Sequence, residues 1–296
     1  MDVEISESTL TQESLKVLTP RLALSWDWNT VSSTVILFYD WILLLPEEIE
    51  FIWSAKLLRP FNALYNIQRY MPFIDTVALL YIVSFAEQID VEKCRVLYNI
   101  SGWMYIIGIT LTEVVLTMRI WALWGKDTRL SIGLPLFFLS CWVPNFYIFH
   151  KFLQTETYIP SPLPQIIGCA ILGGQPILYL CWVILVVYEA VLLILMLIQY
   201  RRQFSLTRVV YRDGITYYII LFLLSIINVA TILLLPHDLQ NLFTPPQRVI
   251  HTILTSRVVL HMRKQSGNQL QYNNDEAYYR QTMLKNTRDA EIKDFS

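Results

Sequence analysis

Ionisable side chains inside otherwise apolar segments are the first feature of this sequence that could do chemistry. Two acids and two arginines lie at a similar depth in their segments: Asp40, Asp75, Arg119 and Arg257. Charges at membrane depth are costly, so they face the interior of a helix bundle or water, where opposite charges neutralise each other. The set predicts an intramembrane charge network, which is either a structural ionic latch between helices or part of a proton or ion pathway.

A second polar set lies nearer the middle of the apolar segments: Glu113, Glu189, Asn228 and His251. Carboxyl, amide and imidazole groups at that depth predict a mid-membrane polar pocket, either the floor of a ligand site or a proton relay. The alternative is a set of interhelical hydrogen bonds that hold the bundle together, worth roughly 1 kcal/mol each. Two carboxylates on separate helices are no catalytic dyad unless the fold brings them close together.

Three further acids end the first apolar segment: Glu47, Glu48 and Glu50. We expect them at the cytosolic interface, where they meet the basic residues of the following loop or water. They predict an interfacial surface and not a catalytic site.

Motifs for catalysis and cofactor binding are absent from the sequence. Gly-x-Ser-x-Gly, Walker A and Gly-x-Gly-x-x-Gly do not occur, and neither do His-x-x-x-His or Cys-x-x-Cys pairs. The net charge of −1 offers no basic field for nucleic acid. We therefore expect no enzyme, no catalytic residues, no cofactor, no compact metal site and no nucleic-acid partner.

The elements that must position these residues are membrane helices. Hydrophobic residues make up 54% of the 296 positions and charged residues only 16%, which is the composition of a membrane protein. A spanning helix needs roughly 20 mostly apolar residues. Seven windows qualify: Asn29–Leu45, Ile67–Gln88, Leu97–Trp124, Leu130–Phe149, Ile171–Tyr200, Gly214–Leu235 and Pro245–Met262. The predicted fold is an all-α polytopic bundle over residues 29–263; five or six spans stay open, because the second and seventh windows carry charges.

Lysine and arginine in the short loops predict the orientation. They concentrate after the odd-numbered windows, as in Lys126 and Arg129 of the third loop. We therefore expect residues 1–28 to form an extracytoplasmic tail without a cleaved signal peptide. Polar residues 264–296 are expected to be a disordered cytosolic tail. The predicted location is an integral, multi-pass position in the secretory pathway or plasma membrane.

The cysteines divide into two pairs. Cys141 and Cys181 fall inside predicted spans, where a thiol behaves as a small hydrophobic group. Cys94 and Cys169 fall on the predicted outer side, in oxidising surroundings, and a disulfide between them would hold the fourth loop over the third span. The alternative is two unrelated free thiols.

Several blocks of sequence occur together in a recognisable order, among them "YDWILLLPEEIEFIW", "TEVVLTMRIWALWGK" and "QRVIHTILTSRVVLHMR". Over Phe38–Arg263 the chain resembles a large fungal family of multi-pass membrane proteins whose N-terminal segment is catalogued as a domain of unknown function. The resemblance implies a seven-helix integral membrane protein, with the family-type N-terminal segment at about 36–80, and it implies no activity. The positions that match the N-terminal block are Tyr39, Asp40, Pro46, Glu48 and Trp53.

Topology and basic loops favour a receptor-like seven-helix protein that binds a ligand or signals. Its partners would be the lipid bilayer, a small-molecule ligand on the outer side and a cytosolic signalling partner. Arg201, Arg202 and Arg208 in the fifth loop would form the cytosolic coupling loop. The alternative is a small proton or solute transporter or channel that uses the buried carboxylates.

Overall fold

Seven α-helices and one β-hairpin form the described part of the chain, as given by a computed structural model. The description covers residues 28–53, 60–80, 91–160, 169–172, 177–202, 208–234 and 243–294. Only the backbone is described at 60, 79–80, 157–160, 169–172, 208–213 and most of 265–294. The helices are α1 (28–48, continuing as a π-helical turn at Ile49–Trp53), α2 (Pro60–Leu80), α3 (Val91–Leu123), α4 (Thr128–Thr155), α5 (Leu178–Arg202), α6 (Arg208–Leu234) and α7 (Thr244–Asp294). The hairpin pairs β1 (Thr157–Pro160) with β2 (Cys169–Leu172) in antiparallel register.

Among the described residues, four helices are long and apolar enough to cross a membrane: Val91–Leu123, Thr128–Thr155, Leu178–Arg202 and Gly214–Leu234. They correspond to the third, fourth, fifth and sixth predicted windows. The prediction of a membrane-embedded helical protein is thereby confirmed, whereas the seven spans and their orientation stay predictions.

Helix α1 is amphipathic in the inverse sense of a soluble helix. Apart from Leu37, its buried residues are polar: Thr30, Ser33, Thr34, Asp40 and Glu48. Its exposed side is apolar: Val35, Ile36, Tyr39, Ile42 and Leu43. Ser33 Oγ donates to the carbonyl of Asn29 at 2.7 Å, so the helix itself satisfies that buried hydroxyl. An apolar exterior around a polar interior suits a hydrocarbon environment, where polar groups must find partners inside the protein.

The two ends of the bundle differ in construction. At one end, here called the Lys126 end, the tight turn between α3 and α4 places Gly125 and Lys126 at positive φ, and Asp127 caps α4 by accepting from the Arg129 amide at 2.9 Å. At the other, the hairpin end, β1 packs against α3, and α4, α5 and α7 have their nearby termini there. Apolar side chains of α3, α4, α5 and α6 fill the space between the two ends.

One sequence prediction is wrong at the hairpin end. The fifth window began at Ile171, but Ile171 lies in β2 and α5 begins at Leu178. Gly173, Gly174 and Pro176 separate the two, and these residues are poor helix formers. The second window begins at Ile67, inside α2, and that helix itself begins at Pro60, since proline is well suited to a first helical turn.

The C-terminal tail, expected to be disordered over 264–296, is instead helical through Asp294 as the continuation of α7. The tail is rich in residues of good helix propensity, and Glu276 and Arg280 form an ion pair one turn apart at 3.6 Å. Polar composition alone therefore did not decide between disorder and an exposed helix.

Candidate functional site

Asp40 and Glu48 lie on the buried side of α1 and share one guanidinium from α2. Arg69 Nη1 lies 2.8 Å from Asp40 Oδ2, and Arg69 Nε lies 2.7 Å from Glu48 Oε1. The side chains of Arg69 and Glu48 are fully buried. The planar fork of the guanidinium lets one arginine hold two acids that are eight residues apart.

The remaining oxygens of the two acids also have donors. Arg257 of α7 donates to Asp40 Oδ1 at 2.9 Å. The hydroxyls of Tyr65 and Tyr70 donate to Glu48 at 3.0 and 3.1 Å. We call Asp40, Glu48, Tyr65, Arg69, Tyr70 and Arg257 the Arg69 cluster. Two acids and two arginines give it no net charge, and every carboxylate oxygen in it accepts a hydrogen bond, so it is built as an ionic latch.

The structure divides the predicted four-residue charge network into three places. It brings Asp40 and Arg257 together, but Asp75 pairs with Arg248 at 3.1 Å instead. Arg119 lies apart from both acids, with its guanidinium 5.7 Å from the ring centroid of Tyr218. Equal depth in the membrane does not fix which way a residue points around its helix, and that rotation decides the partner.

The interfacial role predicted for Glu48 is also wrong. Glu48 is completely buried, because α1 continues through Pro46 and carries this acid inward to Arg69. Glu47 does lie at the surface, where it pairs with Lys264 at 3.0 Å. Sequence reasoning missed Arg69 and Arg248 as well. Their signal was present, since both are charges kept inside the two least apolar windows, and such charges mark polar contacts inside a bundle.

The four residues predicted to form the mid-membrane pocket do meet. Each comes from a different helix: Glu113 from α3, Glu189 from α5, Asn228 from α6 and His251 from α7. His251 Nδ1 lies 3.5 Å from Glu113 Oε1, and His251 Nε2 lies 3.4 Å from Glu189 Oε1. The imidazole therefore stands between two carboxylates, with one at each ring nitrogen.

Amide and hydroxyl groups extend this site toward α6. Gln247 Nε2 donates to Ser225 Oγ at 2.8 Å and lies 3.3 Å from His251 Nε2. Asn228 Nδ2 donates to Gln247 Oε1. We call Glu113, Glu189, Ser225, Asn228, Gln247 and His251 the His251 cluster. Gln247 and Ser225 were not predicted, because neutral polar residues are common in membrane helices.

The acids of the His251 cluster lack the partners that the Arg69 cluster supplies. Within the described residues, Glu113 has no hydrogen-bond donor on either carboxylate oxygen, Glu189 has only the Ser225 hydroxyl beside it, and neither acid pairs with a lysine or arginine. Their side chains are 0% and 4% exposed. Two unneutralised carboxylates in such a place require protons or a cation. One donor atom from each of Glu113, Glu189 and His251 lies within 4.8 Å of the others, close enough to share a metal ion.

A cavity of about 110 Å³ opens between the helices at the hairpin end. Aromatic rings supply much of its wall: Tyr98, Tyr105, Phe149, Phe152 and Trp182. The Asp75–Arg248 pair contributes the charged part of the lining. Arg248 Nη1 donates to Thr252 at 2.9 Å, while Nη2 has no hydrogen-bond partner among the described residues. The arrangement suits a small molecule with an apolar body and an acceptor group.

The remaining predicted residues lie at the two ends. Cys94 is buried at the start of α3 and is not a free thiol, whereas Cys169 lies in β2 with its side chain outside the description. Their pairing stays a prediction. Arg201 and Arg202 are exposed at the end of α5, and Arg202 stacks 4.9 Å from the Trp124 ring centroid. The side chain of Arg208 is outside the described residues.

The model of a family described as "Family of unknown function (DUF6533)" matches residues 28–74. No curated protein matches the chain. The resemblance of the N-terminal segment to a domain of unknown function is thus confirmed over 28–74. This segment comprises α1, the π-helical turn and most of α2, so it contains Asp40, Glu48 and Arg69, and the latch between α1 and α2 lies inside the matched segment.

Proposed function

We propose that the protein is a non-enzymatic, receptor-like membrane protein that binds a small molecule in the cavity at the hairpin end. The cavity carries this proposal, because it combines aromatic walls with a single buried ion pair. Ligand sites are typically apolar clefts with a few polar groups that orient the ligand. The unpaired Arg248 Nη2 favours a ligand with a carboxylate or similar acceptor.

The proposal includes seven membrane spans in the fungal multi-pass family, with the hairpin end outside and the Lys126 end in the cytosol of a cell. The inverse amphipathicity of α1 supports its inclusion as a span. In sealed cells, a membrane-impermeant maleimide should label Gln154→Cys and leave Lys126→Cys unlabelled. Labelling of Lys126→Cys alone would reverse the orientation.

A disulfide between Cys94 and Cys169 is part of the same topology, because β1 packs against α3 and β2 carries Cys169. Mass spectrometry of the unreduced protein should find one peptide pair joined through these residues. If both Cys94 and Cys169 can be alkylated before reduction, the disulfide does not exist. Cys141 and Cys181, which are free, serve as internal controls for alkylation.

Ligand binding is tested by thermal melting of the protein in lipid nanodiscs with small aromatic acids. Cinnamate should raise the melting temperature more than cinnamamide, which has the same shape without the charge. Arg248→Met should abolish that difference, since it removes the guanidinium. Gly102→Leu should abolish both shifts, because a Cβ at Gly102 already lies 3.2 Å from the Phe149 ring.

The matched control for the filled cavity is Gly133→Leu, because nothing lies within 4 Å of a Cβ built at Gly133. Cinnamate shifts that survive in Gly102→Leu would place the ligand elsewhere. A panel of small aromatic acids that stabilises neither wild type nor Gly133→Leu would count against the proposal. Signalling should further require the basic residues Arg201, Arg202 and Arg208; ligand-dependent signalling that persists after all three are neutralised would refute their role.

Transport is the second candidate, and the unneutralised acids of the His251 cluster favour it. Carboxylates at this depth serve proton relays in pumps and transporters. Protein reconstituted in liposomes would then carry a proton or solute flux that stops in Glu113→Gln. If the wild-type protein is stabilised by cinnamate but carries no flux in liposomes, transport is excluded and the receptor-like function is favoured.

A further inference from the structure

We propose that Glu113, Glu189 and His251 form a binding site for a divalent transition-metal ion of the zinc class. The first step is geometric. Two ligand atoms at about 2 Å from one ion lie roughly 3–4 Å apart. The carboxylate–imidazole separations of 3.5 and 3.4 Å fall in this interval, and the three residues come from three different helices.

The charge of the two acids also favours a divalent ion. Ionised Glu113 and Glu189 carry a charge of −2, and a divalent ion neutralises both in one step. Elsewhere the chain neutralises buried acids with arginine, as in the Arg69 cluster. The arginine nearest along α7, Arg248, is already committed to Asp75 and Thr252. The charge of the two acids in the His251 cluster must therefore be removed by protons or balanced by a cation, and a divalent ion would do the latter.

Several buried polar atoms of the cluster lack hydrogen-bond partners. Both oxygens of Glu113, His251 Nδ1 and Asn228 Oδ1 have no hydrogen bond within the described residues, and Glu189 has only the Ser225 hydroxyl beside it. Each parent side chain is at least nine-tenths buried. Unpaired buried polar atoms are rare, because each one costs the desolvation of its group. Lone pairs converging on one place are what a metal ion uses.

The position of the two acids around the ring suggests how the site would work. An imidazole gives one nitrogen to an ion, and the other nitrogen of a metal-bound histidine usually donates its N–H to a carboxylate. Glu113 and Glu189 stand at opposite ring nitrogens, so one binds the ion beside the nearer nitrogen. The other orients the ring and balances the charge.

The donor set indicates the class of ion. One imidazole nitrogen and carboxylate oxygens suit zinc, whereas magnesium and calcium prefer sites made wholly of oxygen. No motif with short ligand spacing exists for this site, since the three residues are separated by 76 and 62 positions (113 to 189, 189 to 251). Only the packing of α3, α5 and α7 brings them together.

The test uses full-length protein with a purification tag that lacks histidine. Elemental mass spectrometry should find about one equivalent of bound metal, and chelation followed by ZnCl₂ should lower and then restore the melting temperature. Glu113→Gln, Glu189→Gln and His251→Asn should each weaken zinc binding by at least about 10-fold. His150→Asn should bind zinc as wild type does, because His150 is an exposed histidine on α4.

Two results would overturn the proposal. The first is metal-free protein whose melting temperature does not respond to ZnCl₂, which would mean that the acids hold protons. The second is a zinc response that persists in both glutamine variants, which would place the ion elsewhere. If the variants fail to fold, the visible absorption spectrum of Co²⁺ added to the wild-type protein tests the site instead. Visible absorption bands of nitrogen–oxygen ligation support the site, and the spectrum of hexaaqua Co²⁺ alone excludes it.

Discussion

Asp40 and Glu48 form one pair of buried acids in this protein, and Glu113 and Glu189 form another. Both pairs are removed from solvent, and both lie against α7 or its neighbours. The first pair receives two arginines and two tyrosine hydroxyls, whereas the second, among the residues that the structure describes, receives one imidazole and the Ser225 hydroxyl beside Glu189. Burial alone therefore does not identify a functional acid. The informative property is whether the surroundings satisfy it.

Helix α7 supplies one group to each of the three polar sites. Arg248 contributes to the cavity, His251 to the central cluster and Arg257 to the latch. At 3.6 residues per turn, Arg248 and His251 lie about 60° apart around the helix, whereas Arg257 lies on the opposite side from Arg248. A polar residue facing inward is tolerated where the neighbouring helices satisfy it, and among the three groups the Arg248 Nη2 and His251 Nδ1 atoms have no hydrogen-bond partner within the described residues.

Removal of the central guanidinium should produce the largest effect. Arg69→Met leaves Asp40 and Glu48 buried with too few positive charges, so we expect a loss of about 3–5 kcal/mol in the free energy of unfolding. Thermal melting in detergent and the yield of monodisperse protein measure this loss. Arg95→Met is the control, because its ion pair with Glu92 is more than half exposed and should contribute little. Equal stability of the two variants would mean that the Arg69 cluster is not a latch.

Depth along a helix could be predicted from sequence more readily than direction around it. The helical rise is regular, so counting residues placed Glu113, Glu189 and Asn228 near mid-membrane and His251 somewhat further out. His251 contacts both acids, and Asn228 joins them through Gln247. The same counting grouped Asp40, Asp75, Arg119 and Arg257, of which only one pair is in contact. Rotation about the helix axis depends on packing against several neighbours at once, and a single sequence does not specify it.

The candidate metal site also depends on contacts between helices that a single sequence does not specify. His251 was recognised as polar at membrane depth, but its two carboxylate neighbours come from helices distant in sequence, so no spacing motif could reveal them. Arg69 and Arg248 were misjudged because their charges were counted only as evidence against a membrane span. Their presence lowered the apolar character of two windows, although it was the strongest sign of interior polar contacts in those helices.

A medium effect is expected where the backbone of α3 makes room for Arg248. A Cβ at Gly108 would overlap the Arg248 guanidinium, so Gly108→Ala must displace the Asp75–Arg248 pair. We expect a loss of about 1–3 kcal/mol, in the range of overpacked interiors. Chemical or thermal unfolding measures it. This variant tests how much the Asp75–Arg248 pair contributes to stability. The contribution is either large, as we expect for the Arg69 cluster, or small, as we expect for Glu113 in the His251 cluster.

Gly133→Ala is the control for the backbone effect, since an added methyl group meets nothing within 4 Å and alanine favours the helix. It should leave stability unchanged or slightly raised. If Gly108→Ala behaves in the same way, Arg248 has another place to go, and its contact with Asp75 does not hold the bundle together at this level.

The smallest effect should come from Glu113→Gln in protein stripped of metal. Glutamine keeps the shape of glutamate, and Glu113 has no donor to lose among the described residues, so stability should change by less than about 1 kcal/mol. Asp40→Asn is the matched comparison at the latch: it gives up the charge held by Arg69 and Arg257 and should cost clearly more. The difference should widen with ZnCl₂, which would stabilise Asp40→Asn but not Glu113→Gln. Equal losses in the two metal-free variants would mean that Glu113 is as fully paired as Asp40, and the contrast between the two acid pairs would disappear.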